Sequence, residues 1–553
     1  MDNRGFLAIT VILVAVIAVS YFFQPKPATG QQTPAAQSAV ATPAAPAPPQ
    51  EIQAPSKSIT VSTPKYVAVF NERGGRLASF KLLGYNKRKL NPALSDEAME
   101  LITMSNRDDW PLRLSLSSAN NVAAPSLENA HFVADVDQLT VGEGESRQLS
   151  MTYQAPDGVT VTRLFTFSSD SYLVKQLVTV ENKSEVPLSD LMLTMRINTA
   201  PFSDGKPGRY DQMAAYINGK MITEAPKDAA SKLGDYRGKL KSVDWIGYMD
   251  QYFLTALVMP DITDVPGAVP PSLLAVLQDH GGVAVGASQP LNLASGQKAA
   301  YDFAFYYGPK SNNDLKAAGH NLTKSVDLGW FSFIAAPLAA LLRWLYSIIG
   351  NYGLAIIIVT ILIKVALWPL TAKSYRSMKD MQKLQPKVLK IREKYADDKE
   401  AMNREIMQLY KTFKINPLGG CLPMVLQIPF FIAFYRVLDS LLELRGAPFI
   451  LWIKDLAAPD RLFSFDFTIP FFEPPTGIPV LTILMGASMV LQQKMTPNTM
   501  GDPMQAKMMM MMPIVFTFIL INMPAGLVLY WLVNNILSIG QQLLINRPKQ
   551  QAA

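Results

Sequence analysis

One lysine interrupts a long apolar stretch in the last third of the chain. Residues 360 to 370 read TILIKVALWPL, and Lys364 is the only charge between Gly353 and Trp368. A charge inside a membrane segment is costly and usually functional. No acidic residue lies in the other predicted spans, so we expect a wet cavity lined by hydroxyl and amide groups rather than an ion pair. The alternative is a lysine that only extends its stem to the membrane surface from a helix end. The candidate hydroxyl and amide groups are Thr360, Gln427, Asn534 and Asn535.

Residue types suited to metal or covalent chemistry are sparse. The single cysteine, Cys421, excludes an internal disulfide framework. The three histidines, His131, His280 and His320, do not have the spacing of metal ligands. No glycine-rich loop of the Walker type occurs either. The sequence therefore predicts no catalytic residue, no metal site, no cofactor and no enzyme activity.

The composition predicts an integral membrane protein with one sizeable soluble domain. Of 553 residues, 49% are hydrophobic and only 17% are charged. The net charge is +7, but the basic residues concentrate in one loop beside apolar spans. We therefore expect no nucleic acid binding by this chain.

The N-terminal end reads as a membrane anchor followed by a tether. Residues 6 to 23 form an apolar run of 18 residues, so 1–23 are predicted as an uncleaved anchor. A cleaved signal peptide remains the alternative, although the run is long for one. Residues 24–57 are rich in Pro, Ala and Gln, which predicts an extended tether that buries no core.

Strand patterns dominate the next 270 residues or so. Segments such as VTVTRLFTF and YLVKQLVTVEN alternate apolar and polar residues and are separated by turn residues. This pattern predicts an antiparallel β-sandwich domain over residues 58–328.

The remainder returns to the membrane. Leucines at helical spacing predict an amphipathic helix over 329–350 that lies in the interface. A core over 351–546 follows, with a short tail at 547–553. Its predicted spans are about 351–372, 418–435, 478–492, 508–523 and 526–543.

Loop charges predict the orientation. Residues 373 to 414 carry twelve Lys or Arg, whereas 444 to 477 carry only Arg445, Lys454 and Arg461. By the positive-inside rule the first loop is cytoplasmic. Six spans then place both termini in the cytoplasm and residues 24–350 outside. Three spans are short for a hydrocarbon core of about 30 Å, which predicts local thinning of the bilayer unless the boundaries are a few residues off.

The cytoplasmic loop has a helical pattern and many methionines. Apolar residues at helical spacing predict a helical hairpin over 373–416. Methionine is favoured on surfaces that bind varied apolar partners, although ordinary packing between two helices is the commoner reason for it. The candidate capture residues on the cytoplasmic side are Met378, Met381, Met402, Met407 and Met504.

Several long motifs resemble one family. The stretches LIKVALWPLTAKSYRSMKDMQKLQPK, INPLGGCLPMVLQIPFF, LRGAPFILWIKDL and PAGLVLYWLVNNILSIGQQ are similar to the YidC/Oxa/Alb family of membrane protein insertases. The stretches NERGGRL and DQYFLTALVMP resemble the large periplasmic domain of its Gram-negative branch. The resemblance covers the chain except the tether.

This resemblance implies a fold, a location and a set of groove residues. It implies a bacterial inner-membrane protein whose five C-terminal spans form a hydrophilic groove, open to cytoplasm and lipid. Lys364 matches the basic groove residue, which is often arginine in the family, and only arginine has the planar fork that binds a carboxylate through two bonds. The other positions implied to line the groove are Thr360, Gln427, Tyr530, Trp531 and Asn534.

The function implied is membrane protein insertion. The resemblance implies that nascent membrane proteins are the substrates. It also implies that the SecYEG translocon, accessory Sec subunits and membrane lipids are partners, and the ribosome is a further candidate partner. A transporter or channel is the main alternative, but no internal repeat or pair of broken helices is visible in the sequence. A periplasmic sugar enzyme is the third hypothesis, since the resemblance implies a sandwich shaped like a sugar mutarotase, yet no His/Glu constellation supports catalysis.

Overall fold

The structure is a computed structural model. It describes residues 56–86, 98–104, 106–118, 126–202, 210–236, 238–260, 271–278, 282–396, 398–413, 422–465, 467, 472, 476–495 and 503–546. The predicted anchor (1–23), nearly all of the tether (24–57) and the tail (547–553) lie outside the described residues.

The first part is a β-rich domain. In the strand Val159–Ser168 buried and half-buried residues alternate, and the next strand, Leu173–Asn182, pairs with it in antiparallel register. Such alternation directs one face of a strand to a core and the other outward. One hydrophobic cluster contains Phe80, Phe165 and Leu193, which come from three different sheets. The sheets therefore share a single core.

In the part of the chain that the structure describes, twenty strands form four sheets. The strands are β1 (Ser58–Ser62), β2 (Tyr66–Asn71), β3 (Arg76–Asn86), β4 (Ala98–Glu100), β5 (Arg113–Ser118), β6 (Val133–Ala134), β7 (Gln138–Thr140), β8 (Ser146–Gln154), β9 (Val159–Ser168), β10 (Leu173–Asn182), β11 (Leu188–Asn198), β12 (Gln212–Ile217), β13 (Lys220–Glu224), β14 (Val243–Met249), β15 (Phe253–Val258), β16 (Ser272–Leu277), β17 (Val283–Leu293), β18 (Lys298–Pro309), β19 (Leu462–Phe465) and β20 (Thr476–Ile478). The sheets run β4-β3-β2-β1-β7, β13-β12-β14-β15-β18-β10-β9-β8-β6 and β16-β17-β11-β5, with β19-β20 as a separate pair.

One strand pair departs from the predicted antiparallel pattern. Strand β7 runs parallel to β1, with Thr60 opposite Gln138. Parallel pairing needs a long connection, and the stretch of chain between β1 and β7 provides one. The expectation of a purely antiparallel sandwich is wrong at this edge.

The second part is helical. Two short helices, α1 (Ala229–Gly234) and α2 (Asn312–Ala318), belong to the β-rich domain. The others are α3 (Ser332–Ile349), α4 (Tyr352–Ala366), α5 (Trp368–Lys394), α6 (Lys399–Thr412), α7 (Leu422–Ser440), α8 (Val480–Met495), α9 (Pro503–Ile519) and α10 (Ala525–Asn546). Helix α10 packs against α4, α5 and α8, and α3 packs against α4 and α7. A second hydrophobic cluster lies among these helices.

The helices differ in whether they could cross a membrane alone. Among the described residues, α3 and residues 525–545 of α10 are long and apolar enough. Helices α4 and α5 pass the same test only as a pair, bent by 64° at their junction. The predicted span 351–372 is thus not one straight helix, because α4 ends at Ala366 and Pro369 lies in the first turn of α5. Proline is favoured in a first helical turn, where its missing N–H would have no helical partner anyway.

The end of α7 is joined to the β-rich domain. The Asp439 carboxylate accepts hydrogen bonds from the Tyr210 hydroxyl at 2.9 Å and from Gln251 Nε2 at 3.2 Å. Just beyond α7, Leu442 packs within the core of the β-rich domain, and the Arg445 guanidinium lies 5.2 Å from the centroid of the Phe253 ring. A buried side chain, a bonded carboxylate and a cation over a ring together fix this contact.

Candidate functional site

Lys364 lies in the last turn of α4, and its side chain points into the helical core. The residue is only 6% exposed. Its ammonium donates hydrogen bonds to Asn534 Oδ1 at 3.0 Å and to Ser538 Oγ at 2.7 Å. Within the described residues it forms no salt bridge. An ammonium has three N–H donors, so one remains for water or a ligand.

Asn534 joins three helices. Its Oδ1 accepts both from Lys364 of α4 and from Gln427 Nε2 of α7, the latter at 2.6 Å. The Ser538 hydroxyl donates to the Asn534 carbonyl oxygen at 2.7 Å and accepts from Lys364. We call Lys364, Gln427, Asn534 and Ser538 the polar cluster. It holds one positive charge among neutral groups.

Ser538 was not predicted from the sequence, and Thr360 forms its hydrogen bond within its own helix. Thr360 is buried, but its hydroxyl donates to the Ile356 carbonyl oxygen at 2.7 Å, within its own helix. In the described residues Lys364 is thus bound by Asn534 and Ser538 and not directly by Thr360, and a role for Thr360 in lining a wet groove stays a prediction. The spacing of Asn534 and Ser538, one turn apart on α10, was the available signal for the missed residue.

The two aromatic candidates lie beside the polar cluster on α10. Tyr530 is buried, with its ring centroid 4.7 Å from that of Phe434. Trp531 is half-buried, and its ring lies 4.7 Å from Phe431 of α7 and 5.8 Å from Phe516 of α9, centroid to centroid. In the described residues α7 and α9 share no extensive packing of their own. Trp531 therefore bridges the gap between these two helices.

The segment between α7 and α8 ties the helix ends on the side that faces the β-rich domain. Ala525 N and Gly526 N, at the start of α10, donate to the carbonyl oxygens of Ala458 and Leu456. Arg461 donates to the Ile521 carbonyl oxygen, just after α9. These bonds satisfy backbone groups that helix ends leave unpaired.

Asp460 lies at the centre of these contacts, and we call this end of the helical core, around Asp460, the closed end. Its carboxylate accepts from Trp452 Nε1 at 2.5 Å and from Leu481 N in the first turn of α8. Burial raises the pKa of Asp460, and these hydrogen bonds oppose the rise. A carboxylate at a helix N-terminus is also favoured by the helix dipole.

Asp460→Ala should destabilise the helical core. The change leaves the half-buried Trp452 indole N–H and the buried Leu481 N–H without this acceptor, and a buried group that loses its partner costs about 1–3 kcal/mol. We expect a clearly lower melting temperature of the purified chain in detergent, whereas Lys454→Ala, an exposed change in the same segment, should leave it unaltered. An unchanged melting temperature for Asp460→Ala would show that the bonds at this end do not hold the helices together.

The predicted capture methionines fall into distinct environments. Met378 and Met381 of α5 are buried, Met402 of α6 is half-buried, and Met407 of α6 is 49% exposed. Met504 lies within α9, and its side chain is outside the described residues. Within the described part of the predicted hairpin (373–416), the exposed large apolar side chains are Leu389, Met407 and Phe413; Trp368 and Leu370, in the first turn of α5 before the hairpin, are also exposed. The sequence pattern did not separate these from the buried ones.

The described residues include no group of three or more His, Cys, Asp or Glu side chains placed to hold a metal ion. The polar cluster offers an ammonium and neutral amide and hydroxyl groups. Groups of these types are able to bind an anion or a polar segment.

Comparison with known families covers both parts of the chain. The model described as YidC periplasmic domain matches residues 58–341, and the model described as 60Kd inner membrane protein matches residues 344–552. The chain belongs to the YidC family.

Named YidC relatives match along nearly the whole length. The membrane protein insertase YidC of Pelobacter propionicus is 41% identical over 565 residues, which covers 99% of each chain. That of Geobacter metallireducens is 38% identical over 563 residues, covering 99% of this chain and 98% of the relative. A crystal structure described as active YidC insertase with the first transmembrane domain resolved aligns with 88% of this chain and 92% of its own, at 17% identity and a TM-score of 0.36.

Proposed function

We propose that this chain inserts hydrophobic segments of nascent proteins into the bacterial inner membrane. Its relatives at about 40% identity over the full length are named membrane protein insertases. The observation that carries the proposal is the polar cluster: one buried ammonium, held by neutral groups, inside a helical core.

The helices act as a groove rather than as a pore. The closed end around Asp460 ties α8, α9 and α10 on the side of the β-rich domain. The polar cluster begins one turn before the bend between α4 and α5, near the opposite end. A polar flank of a client therefore travels only part of the way across the hydrocarbon before it finds polar partners, which lowers the cost of its transfer.

Client release into lipid takes place between α7 and α9. These helices pack on different neighbours, and Trp531 fills the gap between them through contacts with Phe431 and Phe516. A bulky aromatic contact can be replaced by an apolar client segment at little cost, because both are apolar surfaces.

The membrane arrangement proposed has six spans: the N-terminal anchor, α4, α7, α8, α9 and α10. Helix α4 has 15 residues. At about 1.5 Å per residue that is roughly 22 Å, several ångströms less than a hydrocarbon core of about 30 Å. We therefore expect the bilayer to be thinned beside it. Both termini and the hairpin lie in the cytoplasm, and the β-rich domain lies in the periplasm.

Helix α3 lies along the membrane surface although its length would permit a crossing. One face is buried against α4 and α7, and the other leaves Phe333 and Trp344 exposed. Aromatic side chains favour the membrane interface. Arg343 of α3 pairs with Glu443 at 2.9 Å, just beyond α7. The SecYEG translocon and accessory Sec subunits are proposed as partners for larger clients.

Insertion by the purified chain tests this function. We expect vesicles that contain the full-length chain to protect a single-span client from external protease, whereas protein-free vesicles do not. The same vesicles should hold an ion gradient, because the groove is closed at one end. Lack of protection would contradict the insertase function, and collapse of the gradient would favour a channel.

A further inference from the structure

A second set of polar contacts lies next to the polar cluster, at the elbow where α4 turns by 64° into α5. Gln541 of α10 donates through Nε2 to Thr371 Oγ1 at 2.7 Å and lies 3.5 Å from the Trp368 carbonyl oxygen. Thr371 and Trp368 are both in the first turn of α5. Gln541 thus joins α10 to the root of the predicted hairpin.

The elbow is held on both of its sides by one face of α10. Before the bend, Lys364 of α4 is bound by Asn534 and Ser538. After the bend, Thr371 of α5 is bound by Gln541. Residues at positions i, i+4 and i+7 share one face of a helix, so Asn534, Ser538 and Gln541 form a single row. This row fixes α4 and α5 relative to each other.

Packing alone does not account for a glutamine at position 541. The side chain is 1% exposed, and its Oε1 has no hydrogen-bond partner in the described residues. Burial of an amide with an unpaired oxygen is unfavourable compared with a well-packed apolar side chain. The Nε2 bond to Thr371 is the contact that a leucine could not replace.

We propose that Gln541 is a positioning residue that fixes the angle between α4 and α5 at the elbow and thereby sets the orientation of the hairpin. This rests on the proposed role of the hairpin in capturing clients. From the elbow to residue 390 the α5 helix extends roughly 33 Å, at about 1.5 Å per residue. A change of about 10° at the elbow then moves that end by about 6 Å, by simple lever geometry on this helix length. A small shift at Thr371 therefore becomes a large displacement of the surface that meets the client.

The neighbouring residue supplies a matched control. Gln542 is also a buried glutamine of α10 with an unpaired Oε1, but its Nε2 donates to the Met495 carbonyl oxygen at the end of α8, at 2.9 Å. Gln542→Leu removes the same chemical group at the same depth without touching α5. A purely structural role predicts similar effects for Gln541→Leu and Gln542→Leu.

The measurement is a distance between spin labels in the full chain, reconstituted in vesicles with no client present. Cys421 is first replaced by Ser, and labels are placed at Lys390→Cys of α5 and Leu491→Cys of α8, which are exposed. A reference pair joins Leu362→Cys of α4 to the same α8 site. We expect Gln541→Leu to shift or broaden the hairpin distance by several ångströms, as the lever estimate of about 6 Å indicates, and to leave the reference distance unchanged.

Two further variants sharpen the result. Thr371→Val removes the acceptor hydroxyl with little change of shape, so it should reproduce the shift, and the double variant should add nothing to it. Gln542→Leu should leave the hairpin distance as in the parent. The proposal is overturned if Gln541→Leu leaves the hairpin distance unaltered, or if both leucine variants change it alike.

Insertion assays separate this proposal from the proposed function. Because the distances are measured without a client, they stand even if the chain inserts nothing. A shifted hairpin together with loss of client crosslinking supports the positioning role. A shifted hairpin with full insertion overturns the positioning role, because the orientation of the hairpin would then not affect client capture.

Discussion

Lys364→Met should lower insertion of clients with acidic flanks much more than insertion of neutral or basic ones. The substitution keeps an unbranched stem and removes the only charge of the polar cluster. An ion pair at intermediate dielectric is worth a few kcal/mol at most. Since about 1.4 kcal/mol corresponds to a factor of ten, we expect roughly a tenfold loss for an Asp flank and a small effect for an Asn or Lys flank.

The charge series extends this prediction. Lys364→Arg should support insertion of all three clients, and Lys364→Glu should be worse than Lys364→Met for the acidic one. A carboxylate would also face Asn534 Oδ1, which now accepts from Lys364. The readout is the protease-protected fraction of one model client whose flank carries Asp, Asn or Lys.

Ser538→Ala is the matched control for the charge. It removes a hydrogen-bond partner of Lys364 but keeps the ammonium and its bond to Asn534. Preference for acidic flanks should therefore persist in this variant. If Lys364→Met reduces all three clients equally, hydration of the groove, and not attraction of opposite charge, is the role of the lysine.

The sequence predicted those parts of the site that have a local signature. A lysine within an apolar run is conspicuous, and the motifs around Gln427 and Asn534 carried the family resemblance. The structure brings these three side chains together. Ser538 was not predicted as part of the site, because a serine in a helix has no distinctive local pattern until its partner is known. The direct partner of Thr360 could not be predicted for a related reason, since a threonine hydroxyl in a helix can bond its own backbone instead of a neighbour.

Contacts between elements that lie far apart in the chain could not be predicted from the sequence. The alternation in β9 and β10 indicates strands, but nothing local indicates that β7 pairs in parallel with β1. Nor does anything local indicate that Leu442 packs within the core of the β-rich domain. Periodicity reports which face of an element is buried, not what covers it. The bend at Ala366 did have a signal, because Pro369 is suited to a first helical turn.

Exposed and buried apolar residues of the hairpin should separate client capture from folding. In the predicted hairpin Leu389 of α5, Met407 of α6 and Phe413, just after α6, are exposed, whereas Met378 and Met381 are buried. Replacing the three exposed residues by serine should reduce crosslinking to a stalled nascent chain at least about tenfold. Full burial of each side chain on a client is worth about 1.5–3 kcal/mol, so partial burial of three is ample for that loss.

The same triple change should hardly alter the melting temperature of the chain, because exposed side chains contribute little to the folded state. The control replaces buried Met378 and Met381 by Gln, which should lower the melting temperature through lost apolar burial and unpaired amides. Capture by the exposed surface is contradicted if the triple variant crosslinks normally. Substitution of residues that serve only as a binding surface should not unfold the helices that carry them. If both variants instead lose crosslinking together with stability, the hairpin methionines serve packing between the helices.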